Sequence, residues 1–71
     1  MDNPTHDREE RVIQLLLQGC SDAETAKELG IAVRTVKKYM NGLFKRYDLT
    51  GFQGIKRVKL AVILYYEREA A

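Results

Sequence analysis

Cysteine, histidine and proline each occur once in this chain of 71 residues. A single thiol cannot close an internal disulfide, which excludes a small secreted scaffold held by cross-links and favours a reducing cytoplasm. One Cys and one His are too few for a zinc site, so no metal ligand is assigned. Cys20 reads as a packed thiol and His6 as an exposed terminal residue. No run approaches the roughly 18 apolar residues of a membrane span, and the acidic start does not resemble a signal peptide. Paired carboxylates, a His–Cys partnership and a phosphate-binding glycine loop are all missing. No catalytic residue or cofactor is therefore expected, and an enzyme is the poorest reading. Nothing repeats internally, and no segment is low in complexity.

Acids are scarce in one half of the chain. Residues 1–30 hold three Lys/Arg against seven Asp/Glu, whereas residues 31–71 hold nine against three. From Arg34 to Lys59 the only acid is Asp48. A chain polarised in this way can offer one basic surface while its net charge stays at +2. The 45% hydrophobic content is enough to exclude full disorder, and the length suits one domain, residues 1–71, near the lower limit for an independent core.

Hydrophobic spacing predicts an all-α, four-helix domain with helices over about 7–18, 22–29, 33–47 and 55–68. Residues 1–6 are polar and read as a frayed lead-in. Thr5 or Asp7 can cap the first helix, Val12, Ile13, Leu15, Leu16 and Leu17 give it a broad apolar face, and Gly19 closes it. Ser21 and Glu24 have the S-x-x-E spacing of a capping box at the start of the second helix. Ala23, Ala26 and Leu29 form a face of that helix suited to close packing, and Gly30 supplies the turn. Leu49 and Phe52 are expected to tuck inward from the loop before the last helix.

The third helix separates its residues by chemistry. Val33, Val36, Met40, Leu43 and Tyr47 recur at the spacing of one helical face, and Arg34, Lys37, Lys38, Asn41 and Lys45 at that of another. One face can enter a core while the other presents four cations and an amide to something negative. Because an α-helix fits the major groove, residues 19–47 read as a helix-turn-helix that binds DNA. In the last helix Val58, Ala61, Val62 and Tyr65 form the most regular stripe and are assigned to the core. Leu60, Ile63 and Leu64 are then in surplus and, with Tyr66, are expected to join two copies in a homodimer.

Several motifs fall in one order: Arg8-Glu9, VIQLLLQG from Val12 to Gly19, S-x-x-E-x-A from Ser21 to Ala26, and L-x-I-x-x-x-TVK from Leu29 to Lys37, followed by Leu43, Arg46 and Leu49. Together these resemble the LuxR/FixJ/NarL-type (GerE-like) helix-turn-helix domains of bacteria, over 42 of the 71 residues. There are departures. Glu10-Arg11 reverses the usual charge order, Thr25 replaces an aliphatic residue, Ala32 a serine cap, Tyr39 a histidine and Asp48 a glycine. The loop after Leu49 is also longer than usual.

The resemblance implies a transcription regulator acting on double-stranded DNA in the bacterial cytoplasm, nucleoid-associated when bound. The chain is either a stand-alone regulator or part of a longer one. Lys37, Lys38 and Asn41 occupy the family's base-reading positions. Lysine suits guanine O6 and N7, and asparagine suits adenine N6 and N7. Arg34, Thr35, Lys45 and Arg46 flank that strip as phosphate contacts, and Ser21 adds one more beside its capping role. RNA polymerase is a further candidate partner. Two rivals remain at this stage: a sigma-factor-like promoter-binding module and a small helical adaptor that meets an acidic protein.

Overall fold

The computed structural model describes residues 4–70, with side chains from Asp7 onward. Its four helices are α1 (Pro4–Leu17), α2 (Asp22–Leu29), α3 (Val33–Arg46) and α4 (Lys56–Ala70), and the described residues contain no strand. The all-α expectation holds: both ends of α2 and the start of α3 fall as expected, and the other ends shift by one to three residues. The largest shift is at the start of α1, which begins at Pro4 rather than Asp7. Proline's fixed φ and missing N–H are tolerated in a first helical turn, so Pro4 opens the helix and Thr5 and Asp7 lie inside it. The expectations for residues 1–3 and for the His6 side chain lie outside the described residues.

Three successive helices end in the same way. Gly19 and Gly30 are left-handed (φ 88° and 68°), and each is followed by a residue whose N–H reaches back five positions. These long bonds are Cys20 N–H to Leu15 O at 3.0 Å and Ile31 N–H to Ala26 O at 3.0 Å. After α3 the left-handed position is Asp48 (φ 58°), with Leu49 N–H donating to Phe44 O at 2.7 Å. The pattern ties up carbonyls that a helix end would otherwise leave unsatisfied and turns the next apolar residue inward. It also explains why a glycine is usual where this chain carries Asp48.

At the other end of α2 the capping box forms as its spacing implies. Glu24 N–H donates to Ser21 Oγ at 3.1 Å, and Ser21 N–H donates to the Glu24 carboxylate at 2.8 Å. Helix α3 starts on Ala32 without a side-chain cap.

All four helices and Leu49 feed one core: Val12, Ile13 and Leu16 from α1, Ala26 from α2, Val36, Met40 and Leu43 from α3, and Leu60 and Leu64 from α4. Thr25 is buried among them. Ala23 is exposed, contrary to expectation, because the buried side of α2 runs through Thr25 and Ala26. Val33, at 40% exposure, and Phe52, at 38%, are likewise less buried than their spacing suggested.

The largest correction concerns α4. Leu60 and Leu64, assigned to a dimer surface, are 0% and 2% exposed, whereas Val58, Val62 and Tyr65, assigned to the core, are 57%, 44% and 55% exposed. Ala61 and Ile63 lie at the boundary, half-buried. Polar ties at both ends set the helix's rotation. Near its start Arg57 donates to the Asp22 carboxylate and to the Cys20 carbonyl. Near its end Glu67 accepts from the Tyr47 hydroxyl at 2.8 Å, and Arg68 pairs with Glu10 at 2.9 Å. Arg57, Leu60, Leu64, Glu67 and Arg68 share one helical side, so fixing the polar ends turns the two leucines inward.

Candidate nucleic-acid interface

The second helix of a helix-turn-helix can meet DNA only if its inner side is held firmly, and α3 meets that condition. Val36, Met40 and Leu43 are 1%, 3% and 0% exposed, with Tyr39, Phe44 and Tyr47 partly buried at the margins of the same side. Its C-terminal end is tied twice more. Arg46 makes a two-pronged ion pair with Glu9 of α1, at 2.9 and 2.8 Å. Tyr47, the capping residue, is held to α4 through Glu67, and donation to that carboxylate keeps its phenol protonated above the usual range.

Opposite this anchored side lie Arg34, Lys37, Lys38, Asn41 and Lys45, all exposed, with Thr35 half-buried beside them. The four cations make no ion pair among the described residues. Their charge is therefore not neutralised within the fold. Glu9, Glu10 and Asp22 are instead matched with Arg46, Arg68 and Arg57. The acidic first half thus meets its counter-charges away from the strip.

Two residues expected among the phosphate contacts have other duties. Arg46 is committed to Glu9, and its guanidinium is held further toward the charged form by that hydrogen bond. It straps α3 to α1. Ser21 is engaged through both its hydroxyl and its amide with Glu24, so that amide is not available to a phosphate. Accepting the Ser21 N–H holds the Glu24 carboxyl below its ordinary pKa.

An exposed apolar surface along α4 and just before it consists of Ile55, Val58, Val62, Tyr65 and Tyr66, 44–71% exposed, with Phe52 alongside, and of these sequence reasoning had put only Tyr66 on an outer face. Lys59 lies over the Phe52 ring, 5.9 Å from its centre. Of the residues first assigned to a dimer, Tyr66 remains on this surface and Ile63 is half-buried.

The sequence profile of the bacterial regulatory proteins of the luxR family matches residues 6–57, 52 of the 71. The chain belongs to the luxR family. This luxR-family domain is a DNA-binding helix-turn-helix of transcription regulators, a binding class and not an enzyme class. The match takes in α1 from its third residue, α2 and α3 complete, and ends two residues into α4. No curated protein and no solved structure matches the chain significantly. Among the described residues no helix is long and apolar enough to cross a membrane, and no cluster of His, Cys, Asp and Glu could hold a metal ion.

Proposed function

We propose that this luxR-family chain recognises specific sequences in duplex DNA as a bacterial transcriptional regulator, with α3 lying in the major groove. The observation that carries the reading is the strip of Arg34, Lys37, Lys38, Asn41 and Lys45, exposed on the side of α3 away from Val36, Met40 and Leu43. A helix about 10–12 Å across with its side chains fits a groove about 12 Å wide. Lys37 and Lys38 donate to guanine edges and Asn41 pairs with adenine, while Arg34, Thr35 and Lys45 hold phosphates and fix the register. The site of action is the cytoplasm, at the nucleoid, where RNA polymerase is a candidate partner. Neither a sigma-like role nor a protein adaptor draws support from a separate observation.

A second copy of the chain completes this reading, joined through Ile55, Val58, Val62, Tyr65 and Tyr66. These apolar side chains stand 44–71% exposed on one side of the fold. The helix carries Lys56 and Lys59 near its start and Glu67 and Glu69 near its end. Antiparallel pairing about a two-fold axis therefore brings opposite charges together and sets two α3 helices for two half-sites.

Selection of bound duplexes from a random pool is the direct test. A recovered consensus with two-fold symmetry is expected. On that site Lys37→Ala, Lys38→Ala and Asn41→Ala should each relax preference at particular base pairs by about 1–3 kcal/mol, and Lys45→Ala should weaken all sequences alike. No enrichment over the starting pool would refute sequence-specific recognition.

A further inference from the structure

Gly42 sits in the middle of α3, where glycine is a poor helix former, and the fold supplies no reason for it. Its backbone is helical, with no left-handed φ that would demand glycine. A Cβ built at this position would meet nothing within 4 Å, and the residue is exposed. Packing, turn geometry and close approach within the chain are thus all excluded as explanations.

The position does have a distinctive setting. Gly42 lies one helical turn from Lys38 on one side and from Lys45 and Arg46 on the other, at the edge of the cationic strip. Helix Cα atoms lie about 2.3 Å from the axis, whereas side chains extend the cylinder to about 5–6 Å, so a glycine leaves a local notch. A helix that nearly fills the major groove has least clearance at its flanks, where the sugar–phosphate walls pass.

Building on the DNA-binding reading above, we infer that Gly42 is a positioning residue: its missing side chain lets one sugar–phosphate wall of the groove pass directly against the α3 backbone. Seated at that depth, Lys37, Lys38 and Asn41 reach base edges while Lys45 closes on a phosphate of the same wall. The helix gives up stability at Gly42 in exchange for depth.

Fold and binding should therefore respond to Gly42→Ala in opposite directions. The melting temperature is expected to rise by about 4–8 °C, the gain of replacing an exposed helical glycine in a domain of this size. Affinity for a duplex selected from a random pool is expected to fall about tenfold, and more for Gly42→Leu, from overpacking at the groove wall. The loss should be larger for the selected duplex than for an unselected one and spread over all the base pairs that Lys37, Lys38 and Asn41 read, because a shallower seat loosens every base-edge contact together. A Gly42→Ala chain that binds as tightly as the wild type, or loses affinity at one base pair only, would overturn the inference. A lower melting temperature would do so too, since it would reveal a structural need for the glycine. If the wild-type chain binds no duplex at all, the DNA-binding reading fails first and the role of Gly42 falls with it.

Discussion

Asp48 and Glu24 show how single residues set the ends of these helices. Asp48 occupies the left-handed position after α3 that Gly19 and Gly30 fill after α1 and α2. An L-residue is strained there, and a carboxylate beside the negative end of a helix dipole is unfavourable as well. Asp48→Gly should stabilise the protein by about 0.5–1 kcal/mol despite the extra freedom of the unfolded chain, read as a higher urea midpoint at unchanged slope. A lower midpoint would show that the Asp48 side chain makes a compensating local bond. Glu24 acts at the opposite kind of end. Its folded pKa lies below the unfolded value because Ser21 N–H donates to the carboxylate. The capping contribution is thus present above the ordinary carboxylate pKa and is lost as pH falls through the lower, folded one. Glu24→Gln should make stability less steep in pH across that acidic window, and an unchanged pH profile would mean the ionised form adds nothing.

Among the elements, α2 and α3 were legible from sequence while the orientation of α4 was not, and the difference is one of contrast. On α3 apolar and cationic residues fall on separate sides, so spacing alone separates inside from outside. The capping box of α2 is a local device complete within four residues. On α4 the true inner stripe begins at Arg57 and ends at Glu67 and Arg68, while the competing stripe of Val58, Ala61, Val62 and Tyr65 is apolar throughout. Sequence periodicity favours the second; the long-range ties to Asp22, Tyr47 and Glu10 select the first. The Arg46–Glu9 pair was not legible for a related reason, since nothing in the neighbourhood of Arg46 announces a carboxylate 37 residues away. The two stripes can be told apart directly. Leu60→Ala should cost about 2–5 kcal/mol as a core truncation. Val62→Glu should leave the monomer folded and abolish a two-fold complex, seen as a 1:1 stoichiometry on a palindromic duplex in sedimentation. Equal destabilisation by both substitutions would contradict the observed rotation of the helix.

At the scale of the whole molecule, the acidic first half and basic second half use their opposite charges twice: Glu9, Glu10 and Asp22 meet arginines across helix contacts, and the remaining cations face outward. Binding to duplex DNA should consequently be steeply salt-dependent. A dimer making about six to ten phosphate contacts would lose roughly 10³–10⁵ in affinity between 50 and 200 mM salt. A nearly flat dependence would mean that the strip meets something other than phosphate.

The division of labour among those charges has a chemical corollary. Among the described residues all three interhelical ion pairs are made by arginine, and none of the six lysines takes part in one. A reagent that acetylates amines and spares guanidinium groups can therefore neutralise Lys37, Lys38 and Lys45 on the outer side of α3 while leaving Arg34 charged and the straps between helices in place. Treated protein should keep its helical circular dichroism and lose its hold on DNA, and protection of Lys37, Lys38 and Lys45 by bound duplex would map the contact. Unfolding on acetylation would show that lysines bear on the fold after all. Lysine chemistry can thus reach binding separately from folding.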